Sequence, residues 1–344
     1  MKRHKYFDCI NSITFFDAIC DMNNLRLAHR NASKGKSNYV EVIEVNKDPE
    51  TYLKKIREML INKTYVVSKY KEDIRNENGK ERHIYKLPYF PDRIIQWAIL
   101  QIIGPLLEKQ FIHTTYSSIR GRGPTKCLNQ IKHDMKNDYY GTQFCFKFDI
   151  RHYYASIDHD LLKGRYSKLF KDYDLLWLIF LIIDSVPPDE GVPIGNFLSQ
   201  YSGNLFLSPL DHFCKETLHC DYYYRYMDDI VILADGKEWL HYVKDEIFKW
   251  VDENKLTIKL NYQIFPVAAR GIDFIGYVMF HDHVLLRKRI KMNMKKKVKK
   301  IKEGTITSVT TIRSIIASYK GFMSHCNAYG LYTYYLLPLE EEFL

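Results

Sequence analysis

The chain has 344 residues, enough to bury a core and carry about two or three subdomains. Lys plus Arg exceed Asp plus Glu by 51 to 41, a formal charge of +10 that suits a polyanionic partner. Its cysteines (Cys9, Cys20, Cys127, Cys145, Cys214, Cys220 and Cys326) form no Cys-x-x-Cys pair and its histidines are dispersed, which argues against a zinc module and for reduced thiols in a cytoplasmic protein. No apolar segment follows the basic N-terminus, and the longest apolar run, Leu175 to Ile183, is too short to cross a bilayer, so neither a leader nor a membrane partner is expected.

Apolar residues recur at helical spacing from Phe16 to Ala28, ahead of a polar stretch at 31–37. Asp48-Pro49-Glu50 starts a helix to about Leu60, with acids at its positive end. Residues 63–90 are strand-rich, with Asn76-Glu77-Asn78-Gly79 as a hairpin turn. A helical pattern returns from Pro91 to about Phe111 and again at about 124–136. Phe146-Lys147-Phe148-Asp149-Ile150 alternates with period two, as a half-buried strand does, and carries an acid near its end. Helices are predicted at about 160–170, over the buried run Leu175 to Ile183, and at about 205–220. Tyr222-Tyr223-Tyr224-Arg225 and Ile230-Val231-Ile232-Leu233 are strand-like and flank Tyr226-Met227-Asp228-Asp229. An amphipathic helix at 236–254 and strands at about 255–268 and 272–287 follow. The C-terminus is helical and basic, with Arg287-Lys288-Arg289-Ile290-Lys291 followed by Lys295-Lys296-Lys297-Val298-Lys299-Lys300.

A strand, a tight turn with paired acids and a second strand can hold Mg²⁺ at a fixed point on a sheet, because Mg²⁺ is bound by one or two carboxylates plus substrate phosphates. Two ions roughly 4 Å apart can activate a hydroxyl and stabilise a leaving pyrophosphate. That arrangement needs three acids from separate strands, and Asp149, Asp228 and Asp229 supply them.

These blocks resemble a reverse transcriptase from about residue 15 to about 330. Phe148-Asp149-Ile150-Arg151-His152-Tyr153-Tyr154 resembles the first catalytic block and Tyr226-Met227-Asp228-Asp229 the second. Lys80-Glu81-Arg82-His83-Ile84, Asp92-Arg93-Ile94-Ile95-Gln96 and Ser118-Ile119-Arg120-Gly121-Arg122-Gly123 resemble the upstream fingers blocks, and Gly271 through Tyr277 the primer-grip hairpin. The resemblance implies an α+β, right-hand polymerase fold with an antiparallel palm sheet, interleaved fingers and a short helical thumb. Its implied parts are an N-terminal extension (1–40), fingers with part of the palm (41–145), palm (146–284, with a helical insertion at 161–190) and a basic thumb (285–344).

It further implies RNA-templated DNA synthesis from deoxynucleoside triphosphates, with template RNA and a DNA primer or product as partners and two Mg²⁺ ions that Mn²⁺ can replace. Asp149, Asp228 and Asp229 become catalytic metal ligands, with Ile150 added to the metal set. Tyr154 matches the steric gate that excludes a 2′-hydroxyl. Arg82 is the best match for a triphosphate contact, since guanidinium forks suit phosphate oxygens, while Lys69, Lys71 and Lys80 compete for a second one. Ile194 stands where many family members carry Gln before Gly; an aliphatic side chain removes a polar check near the templating pair, or simply packs. Gly195 and Ser199-Gln200 shape a loop under that pair, or Gln200 caps a helix. Tyr226, Met227, Gly276, Arg287, Lys288 and Arg289 complete a primer–template set. Lys259 aligns only loosely with a pyrophosphate-protonating lysine and is left out.

Gly191-Val192-Pro193-Ile194-Gly195-Asn196-Phe197-Leu198-Ser199-Gln200 and Ser318-Tyr319-Lys320-Gly321 resemble diversity-generating-retroelement enzymes, which implies error-prone copying, a structured template RNA and a small basic accessory protein. Arg93-Ile94-Ile95-Gln96-Trp97 and Gly123-Pro124-Thr125-Lys126 each lack a His of that group's pattern. They leave open a phage-defence enzyme that uses its own noncoding RNA or primes on itself. A retron enzyme and a catalytically lapsed RNA-binding scaffold are the remaining alternatives. Oligomeric state is not encoded in any of these blocks.

Overall fold

The computed structural model describes residues 14–77, 80–186 and 191–343. Thr14 and Asp17 form a reciprocal capping box at α1 (Phe15–Cys20), and Asp21 caps α2 (Met22–Ala32). After α3 (Val40–Lys47), Asp48 accepts from Thr51 N–H and Pro49 opens α4 (Pro49–Ile61), as the sequence predicts. The hairpin strands β1 (Lys71–Glu77) and β2 (Lys80–Lys86) pair antiparallel; their turn residues, Asn78 and Gly79, lie outside the described residues. In chain order there follow α5 (Ile94–Glu108), β3 (Thr115–Tyr116), α6 (Pro124–Asn137), β4 (Phe144–Asp149), α7 (His159–Leu169), α8 (Tyr173–Ile183) and α9 (Phe197–His212). The acid-bearing hairpin is β5 (Tyr222–Tyr226) and β6 (Asp229–Ala234), followed by α10 (Lys237–Glu253), β7 (Gln263–Pro266) and α11 (Val267–Arg270). A meander of β8 (Ile272–Phe274), β9 (Tyr277–Met279) and β10 (Val284–Leu286) leads into α12 (Lys288–Lys302), α13 (Val309–Met323), α14 (Tyr329–Leu331) and α15 (Leu337–Phe343). The fold class is α+β, as expected.

Two compact units share the chain. One takes its described residues from Met1–His113, Ile150–Phe213 and Phe248–Ile258; the other is Thr114–Asp149, Cys214–Ile247 and Lys259–Leu344. The predicted palm, 146–284, falls partly in each.

In the first unit, α1, α2, α4 and α5 bury Ile19, Leu25, Leu53, Ile56, Ile95 and Ile99. The amide oxygen of buried Gln96, on α5, accepts from the N–H groups of Phe197 (2.8 Å) and Leu198 (3.2 Å). It thereby caps α9 from a distant point in the sequence, because the residue at the cap position, Asn196, makes no side-chain cap bond. Just before it, Gly195 has φ +122°, and a Cβ there would lie 2.7 Å from the Tyr85 carbonyl oxygen, so only glycine fits.

The second unit carries a five-stranded sheet in the order β3-β5-β6-β4-β7, parallel between β3 and β5 and antiparallel elsewhere, and the three-stranded sheet β10-β9-β8. Leu128 and Ile131 of α6, Val231 and Leu233 of β6, Phe274 of β8, and Met294, Val298 and Ile316 of the C-terminal helices form one core. Cys20, Cys127, Cys145, Cys214 and Cys220 are buried and outside any disulfide, and Cys326 is half-buried. No described helix is long and apolar enough to cross a membrane.

Three expectations are corrected. The helix predicted at 205–220 begins earlier, at Phe197, and runs as α-helix to His212 with a π-helical turn on to Thr217, so Ser199 and Gln200 belong to α9 and not to a loop. Residues 255–268 are not one strand: only β7 and an isolated bridge, Ile150 to Ile258, pair there. Residues 272–287 form three short strands.

Gln96→Leu keeps the volume and removes the acceptor, leaving two N–H groups at the start of α9 without a cap. We expect it to lose about 1–2 kcal/mol in denaturant unfolding; unchanged stability would show that the amide does not cap the helix.

Candidate active site

Antiparallel pairing runs from Phe144 opposite Ala234 to Asp149 opposite Asp229, so the last residue of β4 faces the first of β6. Residues so paired have Cβ atoms about 4.5–5.5 Å apart. Tyr226 pairs with Asp229 across the β5–β6 hairpin, leaving Met227-Asp228 as a two-residue turn. Met227 has φ +57°, a left-handed conformation that a side chain disfavours. Fully buried Arg225 holds it there, donating from Nη1 to the Met227 carbonyl at 3.0 Å. The sequence displayed this residue as a charge inside an apolar strand, but its role was not foreseen.

Asp228 shares a side-chain hydrogen bond with Asp149. Burial first, and then the Asp149 charge, push the Asp228 carboxyl up to about 7. Asp229 is also raised by burial, against the opposing pull of Lys147, whose ammonium lies 3.8 Å away. Asp149 and Asp229 each keep about a third of the side chain exposed (32% and 34%), so the cluster is open to ligands on one side. Lys259 Nζ lies 2.5 Å from both oxygens of Asp149. The three acids therefore converge, with an extra lysine that sequence reasoning had set aside.

No three His, Cys, Asp or Glu side chains among the described residues form a ready metal cage. Mg²⁺ does not need one, because one or two carboxylates suffice when phosphates and water supply the other oxygens. Facing Asp149 and Asp229, with Asp228 bonded to Asp149, fit that mode of binding.

Residues 70–279, more than half of the chain, match the family model "Reverse transcriptase (RNA-dependent DNA polymerase)". The chain belongs to the reverse transcriptase family. Among curated relatives, it is 25% identical over 177 residues to the group II intron-encoded protein LtrA of Lactococcus lactis, covering 48% of this chain and 28% of that protein. It is 24% identical over 260 residues to protein YkfC of Escherichia coli, covering 63% of this chain and 66% of that one. The chain thus spans little more than a quarter of LtrA. Among solved structures, apo telomerase from Candida tropicalis aligns at TM-score 0.50 with 13% identity, over 69% of this chain and 54% of that one, a likeness of fold. The polymerase fold class predicted from the sequence holds.

The other residues predicted for this reverse transcriptase are distributed between the units. In the second, Gly276 (φ +97°) and Ile275 (φ +45°) make the two-residue turn between β8 and β9. The Gly276 carbonyl accepts from Arg287 N–H at 3.0 Å, and the Arg287 guanidinium pairs with Asp273. Lys288 and Arg289 are exposed on the first turn of α12. In the first unit, the Ile194 carbonyl accepts from Tyr85 N–H at 3.0 Å, which brings the 194–195 segment against β2. Lys80 and Arg82 lie on that strand, but their side chains are outside the described residues. Lys69 is exposed ahead of β1, Gln200 is half-buried on α9, and Tyr154 is half-buried beside Gly203 of α9. Ile150 is fully buried.

Because the folded protein holds a proton on Asp228 at a pH where the unfolded chain has lost it, stability without metal falls as pH rises from about 4 to about 7. With chelator present, Asp228→Asn should melt above wild type at pH 8, with the gap closing towards pH 4. A pH-independent difference would contradict the burial and charge argument.

Proposed function

We propose that this chain copies an RNA template into DNA by nucleotidyl transfer at Asp149, Asp228 and Asp229. The pairing of Asp149 with Asp229 across β4 and β6, with Asp228 bonded to Asp149, carries the reading. These carboxylates would hold Mg²⁺ or Mn²⁺, with Ile150 in the metal set as the family resemblance implies. Such ions supply charge neutralisation on the triphosphate and acidify the attacking hydroxyl. Deoxynucleoside triphosphates are the substrates; Tyr154 excludes the 2′-hydroxyl, and Arg82, with Lys69 or Lys80, grips phosphate. Tyr226, Met227 and Gly276 steady the primer end.

Template RNA and DNA are the partners that the basic C-terminus fits. On α12, Met294, Val298 and Ile301 face the core, and the remaining positions are largely cationic. Of those cations, Lys299 alone has an acidic partner among the described residues, Glu303 at 3.5 Å. A helix face so poorly neutralised favours phosphates and makes binding salt-sensitive.

The finer reading is an error-prone, diversity-generating enzyme working with a structured RNA and a small basic protein. Ile194 is 40% exposed, which weighs against a plain packing role and supports contact near the templating pair. A phage-defence enzyme is the second reading, favoured by the two blocks that lack His; a near-duplicate repeat beside a variable gene would decide for diversity generation.

Primer extension on poly(rA)/oligo(dT) with Mg²⁺ tests the activity. Asp228→Ala plus Asp229→Ala should lose roughly 10²–10³-fold or more, and Tyr154→Ala should admit ribonucleotides; equal activity of wild type and the double variant would favour a scaffold. Products copied from a defined RNA should carry errors concentrated at template adenines, reduced by Ile194→Gln. An even error spectrum would reject the low-fidelity reading.

A further inference from the structure

Lys259 is tied to Asp149 at both ends of the residue. Its N–H donates to the Asp149 carbonyl at 2.9 Å, and its ammonium lies 2.5 Å from each carboxylate oxygen. Among the described residues that ammonium has no other hydrogen-bond or ion-pair partner. The second lysine of the cluster, Lys147, is anchored elsewhere as well: it donates to the Asp273 carbonyl and lies 5.8 Å from the Phe274 ring centroid. One cation is therefore built into the sheet, and the other hydrogen-bonds only to Asp149, while its charge also reaches Asp229.

An ammonium shared between both oxygens of a carboxylate occupies one lone pair on each and sets a positive charge beside the oxygens through which that carboxylate would ligate a hard ion. Two cations that need the same oxygens are coupled ligands, and the coupling is reciprocal. Side-chain rotation alone can release Lys259, because its backbone bond to Asp149 does not involve the ammonium. About a third of the side chain is exposed (32%), so water can receive the released charge.

We propose that Lys259 is a resident cation that neutralises Asp149 in the metal-free protein and leaves it when a divalent ion binds, so that this lysine sets metal affinity. The inference rests on the reading of Asp149, Asp228 and Asp229 as metal ligands. Lys259 weakens the first ion's binding by the same factor by which that ion weakens the Lys259–Asp149 pair. In return, it keeps three converging carboxylates from repelling one another when no metal is present.

Mn²⁺ titration of the full chain without nucleotide, followed by the electron paramagnetic resonance signal of free Mn²⁺, tests this. Lys259→Gln should bind Mn²⁺ at least about 5-fold more tightly than wild type, the lower end of ordinary coupling. In chelator it should melt below wild type, and saturating Mg²⁺ should raise its melting temperature more than that of wild type. Lys259→Arg should bind Mn²⁺ more weakly than wild type, since a guanidinium fork grips a carboxylate bidentately. Equal Mn²⁺ affinity across wild type, Lys259→Gln and Lys259→Arg overturns the inference. Asp228→Asn plus Asp229→Asn separates the two levels: if it abolishes Mn²⁺ binding while the Lys259 variants change nothing, only the inference fails. If wild type and this double variant bind alike, the metal-site reading fails too.

Discussion

The register between β4 and β6 positions the acids. Side chains alternate across a strand, so a slip of one residue would send Asp149 to the opposite face of the sheet from Asp229. What prevents the slip is not the acids, which repel, but the apolar residues behind them. Phe146, Phe148, Ile230 and Ile232 are buried along the same two strands, and burying each is worth about 1.5–3 kcal/mol. The geometry of a polar site is thus set by hydrophobic matching a few residues away.

That matching works against local costs concentrated at the same place. Met227 adopts a left-handed backbone in the acid-bearing turn, and Ile275, a β-branched residue, does so in the neighbouring hairpin turn. Each is compensated differently. A buried guanidinium bonds the Met227 carbonyl, while the Ile275 side chain packs against the core of its unit. Burial of Asp228 beside Asp149 adds an electrostatic cost. Sequence rules broken in one small region and upheld around it are the pattern expected of a functional site.

Much of this was legible in the chain. Period-two alternation announced β4 and β6, capping residues announced α4, and the ordered blocks announced the family. The start of α9 was hidden because twelve of its sixteen residues are buried, including Ser199, Ser202, Asn204 and Ser208. A helix buried on most faces by small polar residues shows no amphipathic stripe. The contact of Lys259 with Asp149 was hidden for another reason: it comes from a single bridge, Ile150 to Ile258, too short to leave an alternating pattern. Nearby Leu260, 95% exposed, breaks the strand that alternation had suggested. Arg225 was visible as a residue, but its bond to the turn depends on backbone geometry that no spacing encodes.

The amide of Gln96 has a consequence for protein engineering. The segment before α9 looks like a self-contained cassette, ready to be exchanged with that of a relative to retune copying behaviour. Its helix nevertheless borrows its first acceptor from α5, about a hundred positions upstream. An exchanged cassette would therefore arrive without the acceptor for its first two N–H groups, and the two stretches have to be transplanted as one.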